Sequence, residues 1–371
     1  MGYIIWAMFR FSIGIIIPEV MQEWHLTEAE GGAILSSLLV AMAISMIFSG
    51  HLSDRVGRNV IMSAGFTILS AGILLGGYCV GYLTLLIFVF IAGIGAGTFT
   101  VALYAYAGDV VPTSRNTLIG ITNSLYALGG LMGSWALAIL TMKFGWRSPF
   151  NLMGLLAAVV SILLWRHLRF KQSGIEIRSK FMDKKWDFLN NSNVILLCAS
   201  IGVANFVFVA FTAWAPTYLV RLHKFDLAEA GFALGLYSLT GVLGATFFGI
   251  LADKISKTIS ILISGSLSFI LALLYFSNYV GSASLIVLSG ILGFTAFAFW
   301  NLAISAVQDC VDDTHMGSAT GITQGIATIS GSVAPIVSGF VITNYGFNLA
   351  LVLSVALPQL IYLFLALKAT R

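Results

Sequence analysis

The sequence predicts an all-α integral membrane protein with twelve transmembrane helices, arranged as two pseudo-symmetric six-helix bundles. Of its 371 residues, 58% are hydrophobic and only 9% are charged, whereas a soluble domain carries roughly 25% charged residues. The apolar residues also form separate runs, most of them close to the ~20 residues that a helix needs to cross the bilayer core. The bulk of this chain is therefore expected to lie in lipid.

Charged residues and Gly or Pro clusters divide the chain into twelve apolar runs. The first six lie near 3–23, 31–51, 59–78, 82–108, 116–141 and 147–165. The second six lie near 193–220, 228–251, 258–277, 281–308, 316–342 and 346–367. We therefore expect an amino-terminal six-helix bundle over 1–166, a cytoplasmic linker over 167–192 and a carboxy-terminal six-helix bundle over 193–371.

Lysine and arginine residues are unevenly divided between the two sets of loops. If the amino terminus faces the cytoplasm, the inner loops and tail hold fourteen of the 19 basic residues and the outer loops hold four. The remaining basic residue, Arg10, lies inside the first predicted helix. Because basic residues favour the cytoplasmic side, both termini are predicted to be cytoplasmic in a cell membrane. Scattering of these charges over short loops argues against a nucleic-acid partner.

An internal repeat relates the two halves at a shift of 199 residues. The shift maps Gly50, Asp54, Arg55 and Arg58 onto Gly249, Asp253, Lys254 and Lys257. Agreement at glycine, aspartate and basic positions is not expected by chance between apolar helices. Duplicated halves predict a substrate site at their interface, near the bilayer midplane.

The loop after the second predicted helix carries a motif. Residues 50–59 read Gly-His-Leu-Ser-Asp-Arg-Val-Gly-Arg-Asn, which resembles the signature G-x-L-x-D-R-x-G-R-K of the major facilitator superfamily and departs from it only at Asn59. A degenerate copy, Gly-Ile-Leu-Ala-Asp-Lys, lies at 249–254, where that family carries one. The resemblance covers the full chain and implies a secondary transporter that works by rocker-switch alternating access.

The resemblance also implies a conformational latch on the cytoplasmic side. Its residues would be Gly50, Asp54, Arg55, Gly57, Arg58 and Asp109 in the first half, and Asp253, Lys254, Lys257 and Asp309 in the second. The two glycines permit tight turns. Asp109 is the expected partner of Arg58, and Asp309 is in the same way the expected partner of Lys257. The alternative is a solvated charge cluster that only sets the topology.

Arg10 is the one charged residue deep inside a predicted helix. Burying a guanidinium in hydrocarbon costs at least ~2.5–3.5 kcal/mol, so Arg10 should face a polar cavity. Its spacing from Pro18 is similar to that in the organic anion branches of the superfamily (anion:cation symporters and organophosphate carriers), which implies a substrate-binding arginine. A planar fork of donors suits carboxylates and phosphates. The alternative is snorkelling to the cytoplasmic interface, about 10 Å away at 1.5 Å per residue.

Two departures from those branches narrow the expected substrate. The position in the seventh helix that matches Arg10 is Val209, so a paired-arginine phosphate clamp is not expected. The fourth helix lacks the glutamate that many carboxylate symporters carry. A single arginine fits a monoanion, such as a small carboxylate or a sugar acid.

Other polar residues inside the predicted helices could complete the site. They are Asn123, Tyr126, Asn205, Trp214, Tyr237, Trp300, Asn301 and Gln324. Each either lines the cavity or bonds a neighbouring helix, since buried polar groups are costly without a partner. Glu19 is the carboxylate nearest the membrane interior and the candidate proton site. The coupling partner is a proton, a cation or a counter-anion, and neither a metal nor another cofactor is expected.

Two other functions stay open at this point. A multidrug or metabolite exporter of the same fold would carry G-x-x-x-G-P-x-x-G-G in its fifth helix, but residues 129–133 read Gly-Gly-Leu-Met-Gly without the proline. The second is a membrane sensor that does not transport. The chain has no phosphate-binding Gly-rich loop of an ATP-driven pump and no catalytic set, so we expect neither an enzyme nor a primary pump, and we expect a monomer.

Overall fold

The structure is a computed structural model that describes residues 1–110, 115–168, 191–277, 279–312 and 316–370. Within these ranges every regular element is helical. Twelve helices of the described residues are long and apolar enough to cross a membrane. The predicted fold class is confirmed, and the chain is a multi-pass membrane protein.

The helices follow the predicted runs and extend beyond several of them. The first six are α1 (Gly2–Trp24), α2 (Glu28–Val56), α3 (Arg58–Gly76), α4 (Tyr82–Val110), α5 (Arg115–Leu131, a π-helical turn Met132–Ala136, then Leu137–Phe144) and α6 (Arg147–Leu168). The second six are α7 (Ser192–His223), α8 (Leu227–Lys254), α9 (Lys257–Tyr275), α10 (Ser282–Asp309), α11 (Met316–Tyr345) and α12 (Phe347–Leu351, a π-helical turn Val352–Ala356, then Leu357–Ala369). An even number of crossings puts both chain termini on one side of the bundle. We call this the termini side and the opposite one the far side.

Two far-side turns are copies of each other. α1 and α7 both end in a left-handed residue, His25 (φ 51°) and Lys224 (φ 60°). α2 and α8 then both begin with a capping box, in which the N-cap residue and the third helical residue exchange hydrogen bonds. These pairs are Thr27 with Glu30, and Asp226 with Glu229. All these positions are related by the shift of 199, so the sequence repeat is also a structural repeat.

Helix packing follows the two halves of the chain. In the first half α4 packs on α2 and α3, and α6 packs on α3; in the second, α10 packs on α8 and α9, and α7 packs on α11 and α12. Among the described residues the halves meet mainly through three helix pairs: α1 with α7, α2 with α11, and α5 with α8. The predicted linker falls largely on residues 169–190, which lie outside the described residues, so the domain division stays a prediction.

Glycines bring the halves together on the far side. At four of them a Cβ atom would collide with a backbone carbonyl oxygen of the other half, so only glycine permits the observed approach. The pairs, with the distance that the Cβ would have, are Gly14 and Thr212 (2.4 Å), Gly32 and Pro335 (2.2 Å), Gly231 and Ser134 (2.2 Å), and Gly339 and Glu28 (2.3 Å). Small residues serve membrane helices in this way, since packing rather than water exclusion holds them together.

Candidate functional site

Arg10 lies on the most enclosed helix of the bundle. Helix α1 is buried continuously from Ile5 to Pro18, and Arg10 itself is only 5% exposed. An ionised side chain so deep in an apolar bundle is expected to serve a function. Arg10 is therefore the starting point of the site.

Two aromatic rings cover the Arg10 guanidinium. Its Cζ atom lies 5.2 Å from the ring centre of Phe11 on α1 and 5.2 Å from that of Phe208 on α7. Both distances are within cation–π range. Because α1 and α7 belong to different halves, the charge sits at their interface.

Two phenols complete the surroundings of this charge. Tyr126 on α5 packs on Phe11 with ring centres 5.5 Å apart, and Tyr237 on α8 stacks near Phe208 at 6.2 Å. Arg10 lies within electrostatic range of both hydroxyl groups. Neither hydroxyl has a hydrogen-bond partner among the described residues.

The bonding of the guanidinium is the next feature of the site. Among the described residues, no carboxylate, carbonyl or hydroxyl oxygen forms a hydrogen bond or ion pair with the Arg10 guanidinium. A guanidinium carries five N–H donors in a planar fork that matches a carboxylate. The site therefore offers positive charge and free donors to an anion, in apolar surroundings that strengthen the interaction.

Aromatic rings of the second half continue from the guanidinium as a wall. Phe297 on α10 lies 5.3 Å from Phe208 and 5.6 Å from Tyr237, measured between ring centres. Gly241 on α8 makes room for it, because a Cβ there would lie 2.5 Å from a carbon of the Phe297 ring. Phe208 and Phe297 are only half-buried, so part of this wall can contact a ligand.

A polar contact closes the far side across the halves. Arg221 at the end of α7 donates to Glu28 at the start of α2 over 2.7 Å. Thr343 on α11 donates to the other carboxylate oxygen of Glu28 at 3.2 Å. Below this contact, the backbone N–H of Ile336 donates to Ser36 at 3.2 Å. We call Glu28, Arg221 and Thr343 the far-side lock.

The contacts between the halves lie toward one side of the bundle. The hydrogen bonds, ring contacts and close glycine approaches seen between described residues of the two halves lie at the level of Arg10 or beyond it toward the far side. On the termini side, a Cβ added to Gly249, Gly321 or Gly325 would meet nothing within 4 Å. The structure is therefore closed on the far side of Arg10.

Comparison with known proteins identifies the family. The family model described as Major Facilitator Superfamily matches residues 1–335 and 222–370. The chain belongs to the major facilitator superfamily. It is accordingly a membrane transporter, and not an enzyme.

Relatives in this superfamily match the chain over nearly its whole length. A hexuronate transporter of Bacillus subtilis is 23% identical, over 91% of this chain and 85% of its own. A probable sulfoacetate transporter of Cupriavidus necator is 25% identical, over 96% and 88%. Among solved structures, the chain is similar to a bacterial homologue of the human lysosomal transporter Spinster, which is described as inward-facing and occupied. The TM-score is 0.77 at 16% identity, and the match covers 100% of this chain and 90% of the Spinster homologue. The last similarity supports the fold alone.

The superfamily motif lies at the turn between α2 and α3. Gly57 adopts φ 108°, a backbone conformation that side chains disfavour, whereas Gly50 has only an ordinary contact. Arg58 donates to the carbonyl of Ala105 on α4 at 2.8 Å, and Arg55 is exposed. The side chains of the predicted partners, Asp54 and Asp109, lie outside the described residues.

The copy of the motif in the second half forms an ion pair. Lys257 at the start of α9 binds Asp309 at the end of α10 and also donates to Ser305 at 2.8 Å, while Asp253 and Lys254 are exposed. The bond from Arg58 to Ala105 and the bonds of Lys257 to Asp309 and Ser305 each join neighbouring helices of one half. Any role as a latch between the halves therefore stays a prediction for another conformation.

Several polar residues predicted for the site bond neighbouring backbone. Asn205 on α7 donates to the carbonyl of Ala327 on α11 at 2.6 Å, and Trp214 donates to that of Pro335 at 3.0 Å. These are the interhelical bonds that the sequence left as the alternative. Asn301 donates to Phe297 of its own helix at 3.2 Å.

The remaining predicted residues are placed as follows. Trp300 and Gln324 are half-buried on α10 and α11, and the side chain of Asn123 lies outside the described residues. Glu19, the candidate proton site, is exposed near the far-side end of α1. Of the predicted set, Arg10, Tyr126 and Tyr237 lie together.

Sequence reasoning missed the aromatic part of the site. Phe11, Phe208 and Phe297 are three of 27 phenylalanines spread through apolar helices, and nothing in their local pattern separates a site residue from a packing residue. One signal was present: Phe208 directly precedes Val209, the position that matches Arg10 in the repeat. The far-side lock joins residues 193 positions apart, which no local pattern reveals.

Proposed function

We propose that this chain is a secondary active transporter of a small organic anion, a carboxylate or a sugar acid. The anion binds Arg10 between the two halves. Transport proceeds by rocker-switch alternating access, in which the far-side contacts form and break in each cycle. The protein acts as a proton or cation symporter, or as an anion exchanger.

One observation carries this proposal. The Arg10 guanidinium is buried at the interface of the halves, and no described residue neutralises it. Such a charge is expensive to keep in an apolar bundle, and a bound anion would offset that expense. Both relatives described above are named as transporters of organic acids, which supports the same substrate class here.

The bias of Lys and Arg toward the loops of the termini side supports a cytoplasmic location for both termini. With that orientation the structure is in an inward-facing state, in which Arg10 would release its anion to the cytoplasm. The latch residues of α2, α3, α9 and α10 would then engage when the cytoplasmic side closes. No described carboxylate or histidine contacts Arg10. This fits anion exchange, and it also fits proton symport in which the proton binds at a place other than Arg10.

A ligand-binding panel tests the substrate class. We expect benzoate or glucuronate to raise the melting temperature of the purified protein, because a ligand at 100 times its Kd stabilises the folded state by about 2.7 kcal/mol. The panel also holds glucose 6-phosphate, the cationic dye rhodamine 6G and uncharged benzamide. Stabilisation by a carboxylate but not by benzamide supports the proposal. Stabilisation by the dye alone would favour an exporter instead.

The far-side lock provides a test of alternating access. Replacing Arg221 with glutamine removes the ion pair with Glu28 and should increase the far-side-open population. A partly exposed pair contributes about 0.2–1 kcal/mol, so the expected increase is roughly 1.4- to 5-fold. Spin labels at Val80 and Tyr279, exposed far-side positions of opposite halves, report the opening as a longer distance.

The far side offers a matched control for this variant. Arg147 binds Glu23 through two hydrogen bonds of 2.8 and 2.9 Å, and both residues belong to the first half. Its exposure is similar to that of Arg221, 37% against 36%. Arg147→Gln should therefore leave the label distance unchanged. Equal distance changes in the two variants would argue against the lock.

A further inference from the structure

We propose that the anion is an aromatic monocarboxylate, with its carboxylate on the edge of the Arg10 guanidinium and its ring against Phe208 and Phe297. This inference rests on the proposed function and narrows its substrate class. It separates a flat, apolar acid from a polyhydroxylated sugar acid. The argument depends on which surfaces and which polar atoms surround Arg10.

The N–H donors of the guanidinium are the groups that would bind a ligand, because none of them bonds a described residue. The rings of Phe11 and Phe208 lie 5.2 Å from Cζ and occupy positions from which an acceptor could otherwise approach. The N–H donors point outward in the plane of the group. A carboxylate that binds them in plane brings its attached group into contact with the rings that flank the guanidinium.

Those rings present accessible aromatic surface. Phe208, Phe297 and Tyr126 are half-buried, and they come from α7, α10 and α5. Phe208 and Phe297 stand at 90° to each other with centres 5.3 Å apart, and each ring is only partly covered. A ligand ring can therefore pack in the edge-to-face and offset arrangements that aromatic groups prefer.

Polar partners for a sugar are scarce at the same place. A sugar acid carries several hydroxyl groups, and each loses binding energy if it is desolvated without a partner. Asn205, Asn301 and Trp214 already donate to backbone carbonyls. Among the described side chains around Arg10, the hydroxyls of Tyr126, Tyr237 and Ser238 lack a hydrogen-bond partner and could bond a ligand. This supply fits one ring and one carboxylate better than a polyol.

Binding of three carboxylates to the purified full chain tests the inference. The probes are benzoate, cyclohexanecarboxylate and glucuronate, titrated by calorimetry in lipid nanodiscs, because benzoic acid crosses membranes by itself. We expect benzoate to bind at least about tenfold more tightly than glucuronate. Cyclohexanecarboxylate, which lacks the π system, should bind roughly 2- to 12-fold more weakly than benzoate.

Variants of one ring assign the preference to the wall. Phe208→Leu should weaken benzoate binding roughly 2- to 12-fold and bring benzoate and cyclohexanecarboxylate within about twofold of each other, while Phe208→Tyr keeps the difference. The control is Phe99→Leu, which removes a buried ring that packs on Phe66 away from Arg10. It should leave all three affinities unchanged.

The outcomes separate this inference from the proposed function. Tighter binding of glucuronate than of benzoate overturns the aromatic assignment and leaves an anion carrier. An unchanged benzoate preference in folded Phe208→Leu also overturns it. If none of the three carboxylates binds the wild-type protein, the proposed function fails together with the inference.

Discussion

Replacement of Arg10 by lysine should weaken anion binding and transport by roughly 10- to 150-fold while the protein still folds. Lysine keeps the positive charge, so the electrostatic attraction remains. It loses the planar fork that can bind both carboxylate oxygens, and hydrogen bonds to charged groups contribute about 1.5–3 kcal/mol. It also loses the flat group that lies 5.2 Å from the ring centres of both Phe11 and Phe208. Titration of the most stabilising carboxylate, followed by its uptake into proteoliposomes, measures the effect.

A matched arginine controls for the substitution itself. Arg147 also contacts an aromatic ring, since its Cζ atom lies 4.3 Å from the ring centre of Trp146. It also binds the carboxylate of Glu23. Arg147 lies on the far side and is not part of the Arg10 site. Arg147→Lys should therefore leave anion binding unchanged. Wild-type uptake by correctly folded Arg10→Lys would remove Arg10 from the site. The anion assignment would then fall, although the transporter fold would stand.

The sequence predicts the helices, and it predicts Arg10, for a common physical reason. A charge inside an apolar run is costly, so it is rare and conspicuous: Arg10 stands out in the way that the charged loops between helices stand out. Glycine turns are visible on similar grounds, and Gly57 with its φ of 108° is an example. In each instance one residue type has a cost or a freedom that its surroundings make obvious.

The partners of Arg10 could not be predicted in the same way. Helix α7 is apolar along most of its length, so its pattern does not show that Phe208 faces the other half while Val209, which is 2% exposed, is buried in packing. Amide side chains are conspicuous in an apolar helix, but their role is ambiguous. Asn205 could line a cavity or bond a helix, and the proximity of the Ala327 carbonyl decides between them. Such outcomes depend on tertiary distances that local sequence does not carry.

Adding a single methyl group at Gly32 should have the second large effect, because closure of the far side depends on backbone contact there. In Gly32→Ala the Cβ would lie 2.2 Å from the carbonyl oxygen of Pro335 and 2.6 Å from its carbon. These are backbone atoms, so no side-chain rotation relieves the collision. Helices α2 and α11 would have to separate by roughly 1 Å or more.

The separation should shift the protein away from the state seen here. Overpacking costs about 1–3 kcal/mol, which lowers the far-side-closed population relative to the open one by roughly 5- to 150-fold. Transport should fall as this population falls, and Arg10 should become accessible from the far side. The matched control is Gly290→Ala on α10, where the Cβ would meet Thr240 at an ordinary 3.7 Å. Both variants gain the same helix propensity, since each replaces a helical glycine by alanine.

Labelling of a cysteine beneath the lock reads out the shift directly. Ser36 is 5% exposed and accepts a hydrogen bond from Ile336 in the closed state, so Ser36→Cys should react slowly with an impermeant maleimide added on the far side. Gly32→Ala should speed this reaction, and Gly290→Ala should not. Burial raises the pKa of the native thiols of Cys79 and Cys310 and slows their reaction with the maleimide. A background without native cysteines removes their remaining labelling. Slow labelling together with normal uptake in Gly32→Ala would mean that the far side does not close through this contact.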